Sequence, residues 1–261
     1  MKVALLQLDI EWEDKNKNFD RVESFVERMR DDKPDLVVLP ELFSTGYTMN
    51  SKPLAENLND ETTSFLSRLA RNNKINVLGS FIEKTESKPK NSAILFDKNG
   101  KMLLHYSKIH LPSFLEENKN YTPGSKISTC EFNGQKIGVF ICYDLRFPEI
   151  FIRIAEDTKC IFVIANWPHE RIEHWDSLLK ARAIENQLYI VGVNRVGKSP
   201  SSNYSGHSII IDPLGNVVIN SKENEEGVFI GEIDFSFVEK VRSKFPFLKD
   251  RISPNLLTYN K

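Results

Sequence analysis

Long apolar runs are missing from this chain. No stretch approaches the roughly 20 apolar residues that a membrane-spanning helix needs. In the opening MKVALLQLD, Asp9 interrupts the apolar run too early for the core of a secretion signal, and no small-residue cleavage site follows. Cysteine is scarce, and the three present (Cys130, Cys142 and Cys160) are odd in number and scattered, so they do not read as a disulfide framework. These absences lead to the expectation of a protein of the reducing cytoplasm. A surplus of one charge is also missing: 35 Lys and Arg face 36 Asp and Glu, a formal net charge of -1. Nothing in that balance pulls the chain toward nucleic acid or an anionic membrane, and neither is expected as a partner. There is no HExxH, no GxGxxG and no phosphate-loop sequence. His169 and His174 read as surface or packing residues, and neither a metal nor a cofactor is expected.

What is present is ordinary for a globular enzyme, with 40% hydrophobic and 27% charged residues over 261 positions. Short apolar, β-branched runs at 3–8, 35–40, 75–82, 136–142, 160–166 and 188–193 are nearly continuous in apolar residues. That pattern predicts interior strands covered on both faces. Residues 17–30, 61–71 and 174–187 place apolar side chains at the spacing of a helix with one buried side. Two hairpins are expected, turning at Asp97–Gly100 and Asp212–Asn216, where Asp, Asn, Gly and Pro supply tight-turn geometry. The mixture predicts an α/β protein whose second half loosely repeats the first: strand, helix, strand, hairpin.

The segment KIGVFICYDLRFPEIF is the most informative. An apolar strand ends at Cys142, and Pro148 then opens a helix, where proline is tolerated because first-turn N–H groups lack partners. A cysteine at such a turn can project its sulfur, with free N–H groups nearby to receive a developing oxyanion. A thiol with an ordinary pKa near 8.5 is mostly protonated at pH 7 and needs a base or cation beside it. Cys130 borders an Asn-Gly turn and Cys160 begins an apolar strand, so both read as structural. DLVVLPELF ends a second buried strand with Glu41, where partial burial suits a carboxyl group to proton transfer. HYSKIHLP carries Lys108, which beside a thiol and a carboxylate would favour thiolate and donate to an oxyanion. Composition and periodicity alone do not bring these three together.

The three segments VLPELF, HYSKIHL and ICYDLRFPE, in this order, resemble the Glu, Lys and Cys signatures of the nitrilase, or carbon–nitrogen hydrolase, superfamily. The resemblance runs from VALLQLDI through GHSIIIDPLG and implies one domain over residues 1–261, with an α-β-β-α sandwich of four layers and mixed sheets. It also implies a homodimer, with the helices starting near Pro148 and running through Trp175–Gln187 as candidate contacts. A second glutamate is implied near the lysine; in EENKNYTPG, Glu117 fits the pattern better than Glu116. Within the superfamily, NWP, Arg171, Trp175, ARAIENQ and GVNRVG resemble the omega-amidase-like branch.

That resemblance implies hydrolysis of a small amide that also bears a carboxylate, of the 2-oxoglutaramate or 2-oxosuccinamate type, through a cysteine thioester. Glu41, Lys108, Cys142 and Glu117 are the expected catalytic residues. A buried carboxylate calls for a bidentate arginine; Arg146 is the first candidate and Arg171 the second. Tyr143 would offer its backbone N–H to the oxyanion, Tyr47 would close the pocket and Trp167 would line it. Hydrolysis of N-carbamoyl amino acids or nitriles would use the same triad, and a silent binding protein would keep the fold without the chemistry. A thiol redox role lacks a CxxC.

Overall fold

The computed structural model describes residues 1–252. Two six-stranded mixed sheets make up its centre. The first runs in the order β14 (Gly227–Glu232), β1 (Lys2–Gln7), β2 (Leu36–Val38), β3 (Asn76–Glu83), β4 (Lys90–Phe96), β5 (Met102–Ser107). The second runs β13 (Val217–Asn220), β12 (Ile209–Ile211), β9 (Tyr189–Val193), β8 (Cys160–Ile164), β7 (Gln135–Ile141), β6 (Thr129–Phe132). A short ribbon, β10 (Val196–Ser199) with β11 (Ser202–Ser205), stands apart.

The expected internal repeat is real. Each sheet has three parallel strands, β1-β2-β3 or β7-β8-β9, extended on one side by an antiparallel hairpin, β4-β5 or β12-β13. Each is closed on the other side by one antiparallel strand, β14 or β6. The hairpins turn where expected, with Gly100 N–H donating to the Asp97 carbonyl and Gly215 N–H to that of Asp212, both at 2.9 Å or less. The β6–β7 hairpin turns at Asn133 and Gly134, both at positive φ, the geometry such a turn demands.

Strand alternation separates the layers. In β1, Val3 and Leu5 face the second sheet, while Ala4 and Leu6 face α1 (Lys15–Arg28) and α3 (Glu61–Asn73). On those helices Phe19, Val22, Phe65, Leu66 and Leu69 form the buried stripe, each contributing about 1.5–3 kcal/mol on burial. On the far side, α5 (Pro148–Ile154) and α6 (Ile172–Asn186) cover the second sheet through Phe151, Trp175, Leu179 and Ala183. The result is a four-layer α-β-β-α sandwich. The single turns α2 (Ser51–Leu54) and α4 (Glu117–Asn120) lie on connections, and α7 (Phe235–Lys244) follows β14. Among the described residues no helix is long and apolar enough to cross a membrane. Residues 253–261 of the expected 1–261 domain lie outside the described residues.

Candidate active site

Chemistry-bearing side chains gather at the carboxyl ends of the parallel strands, where open α/β sheets bind ligands. Glu41 follows β2, Cys142 follows β7 and Asn166 follows β8. The chain turns sharply at two of these ends. Leu42 and Cys142 both adopt φ of 46°, a left-handed conformation that costs a non-glycine residue about 1–2 kcal/mol. At Cys142 this turn ends β7 and starts a 3₁₀ helix, Cys142–Arg146, leaving the sulfur at the bend.

Buried bonds hold each turn. Leu42 N–H donates to Ser80 Oγ at 2.6 Å. Asp144, fully buried, receives the Tyr106 hydroxyl at 2.6 Å and the Ile141 N–H at 3.1 Å on one oxygen. Its other oxygen takes the His110 N–H at 2.9 Å and meets His110 Nδ1 at 2.8 Å. Asp144 therefore ties the cysteine turn to the segment carrying Lys108. From α6, Arg182 donates twice to the Leu145 carbonyl and steadies the same turn.

The structure brings Glu41, Lys108 and Glu117 into one buried cluster behind Cys142. The Lys108 ammonium donates to Glu41 Oε1 at 3.0 Å and to both Glu117 oxygens at 2.9 and 3.0 Å. All three side chains have no solvent exposure. Glu41 receives two further bonds, from Asn91 Nδ2 at 2.7 Å and from the Asn166 N–H at 2.8 Å. Burial alone would lower the lysine pKa, but the charges of Glu117 and Glu41 outweigh it and hold the ammonium well above its ordinary range. Burial raises the Glu117 carboxyl, against the pull of Lys108. Burial also raises the Tyr47 phenol, whose hydroxyl donates to Glu117 at 3.0 Å.

Burial pushes the Cys142 thiol well above its ordinary value; the Glu41 charge adds to this and Lys108 opposes it. Lys108 thus pulls toward thiolate as expected, but burial and the charges of Glu41 and Glu117 outweigh it. The Glu41 carboxylate lies beside the sulfur. Neither of the other cysteines lies on the cavity that Cys142 faces. Burial, with Glu131, raises Cys130 to about 11, and burial alone raises the fully buried Cys160.

Cys142 opens on a small cavity of about 30 Å³, room for a water or two. Tyr47, Lys108, Tyr143, Asn166 and Trp167 form its floor and sides, with Arg146, Arg171, Phe114 and Leu115 among the rest of its lining. All the sequence-identified binding residues are therefore on this wall. Arg146 lays its guanidinium over Trp167, 4.7 Å from the ring centre, and reaches His174. Arg171 lies 5.7 Å from the Phe114 ring. Neither pairs with a carboxylate among the described residues, so Arg146 does not form the local pairs with Asp144 or Glu149 that its sequence position allows. Trp167 is held by its ring N–H, which donates to the Arg171 carbonyl at 2.7 Å. A roomier groove of about 530 Å³, bordered by Arg30, Lys33, Lys74 and Glu131, contains none of these residues.

Sequence reasoning missed Asn91, Asn166, Asp144, Tyr106 and His110. For Asn166 a signal existed: it is a polar residue just past an apolar strand, the same setting that marked Glu41 and Cys142. Asn91 and Tyr106 lie inside strands, and only their register across the sheet shows what they face.

Comparison with known proteins places the chain in a family. The family model described as carbon-nitrogen hydrolase matches residues 2–243. A 2-oxoglutaramate amidase of Bacillus subtilis is 35% identical over 251 residues, covering 95% of this chain and 96% of its own. An omega-amidase of Yersinia enterocolitica is 33% identical over 253 residues, covering 96% of each. Among solved structures, a CN-hydrolase superfamily protein of Xanthomonas campestris, with an arsenic adduct in its active site, superposes with a TM-score of 0.92 at 30% identity, covering 97% of both chains.

Proposed function

Because this chain belongs to the carbon–nitrogen hydrolase family, we propose that it cleaves the terminal amide of a small carboxylate-bearing amide, of the 2-oxoglutaramate or 2-oxosuccinamate type, to the acid and ammonia. The observation that carries the reading is the buried Lys108 ammonium bridging two carboxylates directly behind a thiol that faces a cavity.

In this mechanism Glu41 takes the thiol proton as Cys142 Sγ attacks the amide carbonyl carbon. The oxyanion accepts from the Lys108 ammonium and from the Tyr143 N–H, which sits in the first turn of its helix, where such groups lack intrahelical partners. The C–N bond breaks as Glu41 passes its proton to the nitrogen, and ammonia leaves. Water, deprotonated by the same carboxylate, attacks the thioester carbonyl; the C–S bond breaks, and acid and thiol are restored. Glu117 fixes the lysine and, with Tyr47, the rear of the pocket. Keeping the base at hydrogen-bonding distance supplies rate through orientation.

Arg146 and Arg171 support a substrate carboxylate: two cations with no carboxylate partner among the described residues line the cavity that Cys142 faces. A cavity of about 30 Å³ does not hold such an acid as it stands, so Phe114 and Leu115, on its exposed side, move aside on binding. The chain is also read as a homodimer, supported by Ile152 on α5 and Ile184 on α6, each 43% exposed.

Ammonia release from 2-oxoglutaramate, an N-carbamoyl amino acid and a simple nitrile tests the substrate reading. Turnover is expected on the first and absent in Cys142→Ala, while intact-mass analysis of a quenched reaction should show the acyl group on Cys142. Turnover of nitriles alone would overturn it.

A further inference from the structure

We propose that the side-chain oxygen of Asn166 accepts a hydrogen bond from the N–H of the scissile amide and so selects amides over esters; this rests on Cys142 being the nucleophile. Asn166 is 4% exposed and lies on the cavity wall with Cys142 and Lys108. Its donors are committed elsewhere: the backbone N–H to Glu41 Oε2 at 2.8 Å, and Nδ2 to the Glu41 carbonyl. A carbonyl only accepts, so Nδ2 must face it and the orientation of the amide group is fixed. Oδ1 is then left buried with no partner among the described residues. An acceptor in that state is costly to maintain, and in a native structure calls for a function.

Counting acceptor sites leads to the same atom. Glu41 Oε1 is filled by Asn91 and Lys108, and Oε2 holds the Asn166 N–H and must still receive the thiol proton. Glu117 Oε2 is filled by Lys108 and Tyr47, which leaves one position on Oε1 behind the lysine. A carbonyl oxygen seated on Lys108 and the Tyr143 N–H presents its geminal –NH₂ to the rest of the wall. Of the buried acceptors without a partner among the described residues, Oδ1 of Asn166 is the one on this wall; that of Asn91, whose Nδ2 donates to Glu41, does not line the cavity. A primary amide offers it N–H donors; an ester or a nitrile offers none. A site with a polar group that the wrong substrate leaves unpaired discriminates strongly.

The test compares kcat/KM for the half-amide and the half-methyl ester of one diacid, glutaramate and monomethyl glutarate, in the wild type, Asn166→Ala and Asn166→Ser. Both variants remove Oδ1, while serine keeps a hydroxyl able to donate toward the Glu41 carbonyl and covers the case in which alanine does not fold. Loss of support for Glu41 slows the amide more than the ester, because the nitrogen must be protonated to leave; Asn91→Ala, which loosens Glu41 and keeps Oδ1 of Asn166, therefore gives the ratio change that the Asn166 variants must exceed. The ratio should fall about tenfold in each folded Asn166 variant, the effect of one hydrogen bond. A ratio within about twofold of wild type in the folded Asn166 variants, or no lower than in Asn91→Ala, would overturn the proposal. If the wild type releases neither ammonia nor methanol, it is the reading of Cys142 that fails first.

Discussion

Charge is handled in opposite ways behind the thiol and in front of it. Behind, Lys108, Glu41 and Glu117 have no exposure, and each charge is met by direct hydrogen bonds. In front, Arg146 and Arg171 rest on aromatic faces with no acidic partner among the described residues. The buried cluster must be neutralised internally, because water cannot screen it and an uncompensated interior charge is expensive. The mouth can leave its cations open because solvent supports them until a ligand anion arrives. Like-charge proximity is visible there: burial, with Arg171 contributing, lowers the Arg146 guanidinium. The rear of the site is therefore an arranged instrument for proton transfer, and the front is a vacancy of defined sign.

The largest effect should come from removing the shared cation. Lys108→Met leaves two carboxylates facing each other in the interior. Stability should fall by about 3–5 kcal/mol in urea unfolding, and kcat/KM by about 10²–10³-fold or more. Adding Glu117→Gln should recover much of the stability but not the activity. A Lys108→Met protein as stable as wild type would remove the contrast between the two regions.

Changing the mouth should be milder and of another kind. Arg146→Met should raise KM for a carboxylate-bearing amide by about 10–100-fold, the range of one charge-assisted bond, with kcat far less affected. The same change should scarcely alter KM for an uncharged amide of the same length. An equal loss on both substrates would show that Arg146 shapes the wall and binds no carboxylate; repeating the pair with Arg171→Met would locate the anion between the two arginines.

The smallest effect is expected at a pair that does not line the cavity. The His207 ring meets Asp176 at 2.8 Å, and that hydrogen bond, with the nearby Glu223 and Glu173 charges, raises its pKa above 6.5. A raised folded-state pKa means stability that is fully present below the unfolded value and lost as pH rises through the folded one. The difference in unfolding free energy between wild type and Asp176→Asn should be about 1 kcal/mol or less, the scale of partly exposed pairs, and should shrink on going from pH 6 to pH 9. A difference that grows with pH would reverse the assignment.

How much of this was legible beforehand differs residue by residue. The six apolar runs became interior strands, though 35–40 shortened to Leu36–Val38 because the chain must leave the sheet before Glu41 can turn inward. β14 was not anticipated: Gly227–Glu232 has a short apolar centre between two glycines and is half-buried, and its place beside β1 depends on pairing across more than two hundred residues. Cys142 stood out through its strand-to-turn setting, and Glu117 only through resemblance. Asp144 carries no signal in the sequence for its partners, Tyr106 and His110, which come from the other sheet and the loop after it.

Alone, the sequence determined the alternation of buried strand and amphipathic helix, the turns at Asp97–Gly100 and Asp212–Asn216, and the placing of a thiol and an acid at strand ends, because periodicity and turn chemistry act over a few residues. Only the tertiary structure decided that Lys108 lies between Glu41 and Glu117, that burial raises the Cys142 thiol above its ordinary pKa, and that Asn166 keeps one buried oxygen without a partner among the described residues. Those facts depend on burial and on distances between segments a hundred residues apart, and electrostatics in a water-poor interior is set by that arrangement.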